Sequence, residues 1–203
     1  EVGSFFSNST KDTTNVIYVW AQTITCQNPS CKAKIPMLNS FLLKNSKKNK
    51  QKIFLYPIRI ENSIKFKIID SLKESIPKGF DPDKGNISRG KVMCLVCNTG
   101  IDAKQTKAQF VNGDSNETMV CVISVRKGEQ GKIYKIPSDE DISNFKSAEK
   151  FLEKMIVDFE GESHIDLIPN EPLPENASHR GSGGVLRLYG FKTYGELFNK
   201  RQL

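Results

Sequence analysis

Four of the five cysteines stand in two tight pairs, Cys26/Cys31 in TCQNPSC and Cys94/Cys97 in MCLVC. A short spacing lets two thiolates from one turn converge on a single ion. Two such knuckles supply the four sulfur ligands of a tetrahedral structural zinc. The constraint on the fold is severe, because residues 26–31 and 94–97 must meet. Other uses of paired cysteines fit less well. Disulfide frameworks belong to small secreted domains with even cysteine counts, whereas this chain has 203 residues and an odd count. A redox Cys-x-x-Cys sits in a strand-to-helix turn and needs no second pair. Cys121, in the apolar run MVCVISV, reads as an inert buried thiol.

Residues 32–93 separate the two pairs, far more than the roughly 15–20 of a compact zinc ribbon. Loop-closure entropy grows only logarithmically, so the longer loop costs on the order of 1–2 kcal/mol. Structural zinc contributes about 10 kcal/mol or more in small peptides. The insertion is tolerable if it folds by itself, and its pattern predicts that it does. Residues 35–38 and 40–43 read as short strands, KNSKKNKQK from Lys44 to Lys52 as a basic turn, and 53–60 as a strand. Ser63 to Ile69 follows a turn at Glu61–Asn62, with Ile64, Phe66 and Ile68 on one face and Lys65 and Lys67 on the other. This is the period of a half-buried hairpin. Pro57 marks an edge or a bulge, and SIPKGFDPDKGN is a loop.

Beyond Cys97, residues 101–110 read as a short helix or an extended arm, and 117–126 with 131–136 as a hairpin turning at KGEQG. Ser138, followed by Asp139, Glu140 and Asp141, opens an amphipathic helix to about Val157 through Ile142, Phe145, Ala148, Leu152, Met155 and Ile156. A Pro-, Gly- and Asn-rich connector follows, then YGFKTYGELFNKRQL. The expected class is α+β: an antiparallel β-rich, zinc-ribbon-like domain over 16–137, an amphipathic helix over 138–157, and an extended connector and tail over 158–203.

The formal charge is +7, an excess compatible with nucleic acid but not diagnostic of it. Lys44, Lys47, Lys48, Lys50 and Lys52, with Lys65 and Lys67, are the candidate DNA-phosphate contacts. The 44–52 cluster reads equally as a solvated hairpin tip. No run has the length of a membrane helix and no signal peptide is seen, so a cytoplasmic protein without a membrane partner is expected. The chain opens on Glu1 rather than Met and stops at Arg-Gln-Leu just after an apolar turn, which reads as a fragment of a longer protein.

Three ordered motifs carry a family resemblance. YVWAQTITCQNPSCKAKIPML, Tyr18 to Leu38, resembles the "LWARTIxCPNPxCGAEIPLLRSFWL" segment of large prokaryotic adenine-specific DNA methylases that contain a zinc ribbon and an N-terminal domain of unknown function. SRGKVMCLVCNTGI, Ser88 to Ile101, is similar to their "GxxxRGxATCPVCGxTI", and YGFKTYGELFNKRQL, Tyr189 to Leu203, to their "YGxTxWGDLFTPRQL". The opening EVGSFF is similar to the "EIGxFYP" that ends a helix just before the first motif. The chain departs from the pattern at Lys32-Ala33 (usually Gly-Ala), Gln22 (often Arg), Leu95 (Pro) and Asn199-Lys200 (Thr-Pro), none of them a cysteine.

The resemblance implies a zinc-bearing insert of an S-adenosylmethionine-dependent adenine-N6 DNA methyltransferase that helps to position or recognise DNA. Its partners are then DNA and the methylase core of the same polypeptide. The Asp/Asn-Pro-Pro-Tyr motif of such cores is missing here, and the one glycine cluster, Gly181 to Gly184, lies in a polar connector rather than after a strand. S-adenosylmethionine is thus a cofactor of the parent enzyme only, and the chain alone is expected to be inactive. Two alternatives remain open: a structural or protein-interaction zinc module without DNA contact, and a free-standing zinc-ribbon protein of transcription or RNA processing. His164 and His179 read as surface residues. Tyr18 and Trp20 either stack on a base, cover the metal site or fill a core.

Overall fold

The computed structural model describes residues 12–162, 166–174 and 190–198, with the backbone alone over 160–162. The opening EVGSFF, His164, His179, Gly181 to Gly184 and the final Arg-Gln-Leu lie outside the described residues. The chain divides into two compact units, 16–137 and 1–15 with 138–203.

The first unit is built from antiparallel strands. β1 (Thr13–Thr25) pairs with β2 (Lys34–Pro36), and the four-stranded sheet continues as β10-β9-β1-β2, with β9 (Asn116–Arg126) and β10 (Ile133–Lys135). A second sheet holds β3 (Leu42–Ser46), β4 (Gln51–Ile60) and β5 (Ser63–Asp70) in that order. A third holds β6 (Ile87–Ser88), β7 (Lys91–Met93) and β8 (Gly100–Ile101). Helix α1 (Ala103–Val111) follows β8 and resolves the choice left open for that segment. Asp102 caps it: its carboxylate accepts from the Gln105 N–H while the Gln105 side chain accepts from the Asp102 N–H.

No local alternation predicts a strand before Cys26, yet the longest strand among the described residues lies there. TTNVIYVWAQTIT is rich in β-branched and aromatic residues. Its period-2 pattern is blurred because both faces meet apolar cores, Val19 and Ala21 in one and Ile24 in the other. The basic turn is narrower than expected. Lys44 and Lys52 belong to β3 and β4, leaving 47–50 as the turn. Pro57 is accommodated as a local edge. The Leu55 N–H donates to the Phe41 carbonyl, so Pro57, two positions on, turns its ring nitrogen the same way, past the end of β3.

The hairpin of β4 and β5 has the expected faces, with Ile64, Phe66 and Ile68 half-buried and Lys65 and Lys67 exposed. On the other face, fully buried Phe54 stacks on Phe80 of the following loop at 5.7 Å. Asn86 ties the loop's end into the fold. Its side chain accepts from the Leu38 N–H and donates to the Pro36 and Met93 carbonyls.

In the second unit, α2 (Asp139–Glu162) continues past Val157 because no proline interrupts VDFEGE. Ser138 and Asp141 form a reciprocal cap, Asp141 N–H to Ser138 Oγ and Ser138 N–H to the Asp141 carboxylate. Ala148 and Leu152 are buried, whereas Ile142 and Met155 stay exposed. The tail is not simply extended. Pro172 pairs with Thr193, Leu173 is buried, and a 3-10 turn forms over Gly195–Leu197. Gly195 allows it, since a Cβ there would meet the Pro169 carbonyl oxygen at 2.4 Å.

Candidate metal centre

Each cysteine pair occupies the loop of a β-hairpin. The first loop, between β1 and β2, is closed by Cys26 N–H to the Ala33 carbonyl at 2.8 Å, with Cys31 and Lys32 N–H groups donating to the Asn28 carbonyl. The second, between β7 and β8, is closed by Cys94 N–H to the Thr99 carbonyl at 2.9 Å and Asn98 N–H to the Cys94 carbonyl at 3.0 Å. Both loops leave the second cysteine through a left-handed residue, Lys32 at φ 52° and Asn98 at φ 58°. Beneath the loops the cross-strand pairs Ile24–Ile35 and Val92–Ile101 are essentially fully buried. At about 1.5–3 kcal/mol per side chain, this shared core contributes to joining the hairpins.

The four sulfurs of Cys26, Cys31, Cys94 and Cys97 lie within 4.8 Å of one another. Cys26 and Cys97 Sγ are 3.6 Å apart, and Cys31 and Cys94 Sγ 3.9 Å. A regular tetrahedron with 2.3 Å metal–sulfur bonds has edges of about 3.8 Å, so the arrangement fits a four-sulfur metal centre. No disulfide links them. The Val96 N–H donates to Cys94 Sγ at 3.4 Å, and the Thr99 hydroxyl lies 3.2 Å from Cys97 Sγ while accepting from the Asn28 amide. These contacts set the thiols apart. Burial pushes Cys26 up to about 12 and also raises Cys94. The Thr99 hydroxyl beside Cys97 holds that thiol down at about 6. Without a cation the interior therefore keeps Cys26 and Cys94 protonated. Cys121 is fully buried and lifted to about 11 by that burial.

The candidate DNA-contacting lysines do not form one cluster. Lys47, Lys48 and Lys50 crowd the exposed tip between β3 and β4, and Lys44 donates to Gln51 at 2.9 Å. Lys52 is paired with Asp83, and Lys67 with Glu74 at 2.7 Å. Lys65 stands opposite Ile58, roughly 25 Å along β4 from the tip at about 3.3 Å per residue. Ile64, opposite Arg59, is the β5 residue that packs against the cysteine-bearing core. The tip and this contact thus lie at opposite ends of β4, and Lys65, nearest to the contact, faces the other side of the strand. Tyr18 and Trp20 are half-buried.

Spacing gave the four cysteines but not their supports. The Asn28–Thr99 and Gln109–Thr25 hydrogen bonds join residues far apart in sequence, which no local pattern encodes. Comparison with protein-family models, with curated proteins and with solved structures finds no match.

Proposed function

We propose that this chain is the zinc-binding insert of an S-adenosylmethionine-dependent DNA adenine-N6 methyltransferase, a zinc-ribbon module whose metal is structural and whose surface helps to position DNA. The observation behind it is the four-sulfur cluster at tetrahedral spacing, carried on two hairpin loops. Cys26, Cys31, Cys94 and Cys97 would hold the ion. Bound zinc supplies a cross-link between the hairpins, and four protein sulfurs leave no open position for substrate or water. The chemistry of methyl transfer then belongs to the methylase core, because this chain has no Asp/Asn-Pro-Pro-Tyr motif. The methylase assignment itself rests on the three sequence motifs.

Metal analysis of reduced protein purified without chelator should give about one zinc per chain. Cys94→Ser should lower that stoichiometry and loosen the β-rich unit. Zinc-free wild-type protein with intact structure would overturn the reading.

For the DNA role, the lysine tip offers sequence-independent phosphate contacts. Weak duplex binding that declines steeply with added salt is expected, with a Kd of about 1 μM or weaker. Changing Lys47, Lys48 and Lys50 together to Glu should abolish it with zinc content unchanged. Equal binding by this variant would favour the second reading, a protein-docking zinc module. The neutralisation of Lys52 by Asp83 and of Lys67 by Glu74 already points in that direction.

A further inference from the structure

Gln109 lies on α1 and is buried, 6 % exposed. Its side-chain oxygen accepts from the Thr25 N–H at 2.8 Å, and its side-chain nitrogen donates to the Thr25 carbonyl at 3.1 Å. The amide thereby satisfies both backbone groups of one residue, as a neighbouring strand would. That residue immediately precedes Cys26. At its other end α1 is joined to the second knuckle: Asp102, its cap, follows β8 directly, and Ala103 lies against the β6–β7 turn, where a Cβ on Gly90 would touch the Ala103 Cβ at 3.0 Å. One short helix therefore holds both the strand that leads into the first cysteine loop and the small sheet that carries the second, through contacts that involve no metal.

We infer that Gln109 is a positioning residue for the metal centre, fixing the backbone that delivers Cys26 so that the first loop stays registered against the second. The inference rests on the metal-site reading of the four cysteines. Groups hydrogen-bonded to metal ligands typically change metal affinity by 10–100-fold when removed, and Gln109 acts one residue further out, through Thr25. Thr25 reaches the cluster through one peptide bond, and Gln109 makes both of its hydrogen bonds to that residue.

The test is the rate at which zinc passes to an excess of colorimetric chelator, in wild type and in Gln109→Met, which keeps length and apolar volume but makes neither bond. We expect release to quicken about tenfold, with one zinc bound initially and the tetrahedral absorption of the cobalt-substituted protein retained. Gln109→Glu, whose carboxylate would turn an oxygen toward the Thr25 carbonyl, should quicken release as well. Thr106→Val supplies the comparison. Thr106 is also buried on α1, and its hydroxyl donates to the Asp102 carbonyl, so its loss should lower the melting temperature while leaving the release rate near that of wild type. An unchanged rate in Gln109→Met would overturn the inference, as would equal acceleration in Thr106→Val, which would mean general loosening of the helix. If wild type itself lacks the tetrahedral cobalt spectrum, the metal reading fails instead. Should Gln109→Met not fold, a wild-type release rate in Gln109→Glu is the overturning result.

Discussion

Backbone conformation at single residues separates two kinds of position in the cysteine-bearing unit. Gly85 has no room for a side chain: a Cβ would stand 1.7 Å from the Leu38 carbonyl oxygen. That carbonyl accepts from the Asn86 N–H, and the Gly85 N–H donates to the Asn39 carbonyl, so the backbone cannot withdraw without breaking the joint between the loop and the exit from β2. Gly85→Ala should therefore destabilise the protein by about 2–4 kcal/mol, within the range of severe packing and hydrogen-bond losses. Lys32 is the opposite case. Its φ of 52° imposes a left-handed cost of roughly 1–2 kcal/mol, partly offset by the greater freedom of glycine in the unfolded chain. Lys32→Gly should raise stability by about 0.5–1 kcal/mol. Denaturant unfolding of both variants checks the pair, and a destabilised Lys32→Gly would mean that the lysine side chain supports the loop. The crowding at Gly85 arises from chain segments nearly fifty residues apart, so no local pattern in the sequence announces it.

At the scale of elements, legibility followed the strength of local signals. The β4–β5 hairpin could be read because apolar and lysine residues alternate in IKFKII across a two-residue turn. The N-terminus of α2 was equally plain: Ser138 followed by acidic residues is a capping pattern, and the hydrogen bonds between Ser138 and Asp141 realise it. Ser138→Ala should cost about 1 kcal/mol, seen as a lower helical ellipticity or melting temperature. No loss in either would show that the packing of α2, rather than its cap, sets its stability. β1 escaped notice because two cores claim its opposite faces. The short strands flanking the second knuckle escaped because two or three residues carry no periodicity. They form because Arg89 and Gly90, both at positive φ, turn the chain tightly enough for Ile87 to pair with Val92.

For the β-rich unit as a whole, the thiols define a pH window with a different cause at each end. On the acid side the determinant is the metal. Zinc binds thiolates, yet without a cation Cys26 and Cys94 hold their protons at neutral pH, while Cys97, at about 6, has largely given its proton up. Binding must therefore displace at least two protons, and affinity should fall on the order of a hundredfold per pH unit as the solution is acidified. On the alkaline side, if zinc holds the four clustered sulfurs, the determinant is Cys121, whose buried thiol is neutral in the folded protein up to about 11. A thiol in the unfolded chain ionises at about 8.5. The contribution is therefore complete below that value and is lost as pH rises from there through about 11. Melting temperatures measured from pH 5 to 11, with zinc and with chelator, should show a zinc-dependent fall at low pH and, above pH 9, a fall that is present with zinc and deeper with chelator, where the raised Cys26 and Cys94 thiols add to it. Cys121→Ala should lower the plateau but flatten the alkaline limb, whereas an unaltered alkaline limb would place its origin elsewhere. If added zinc leaves the acid limb where chelator puts it, the cysteine cluster is not what holds the hairpins together, and the apolar core of Ile24, Ile35, Val92 and Ile101 suffices alone.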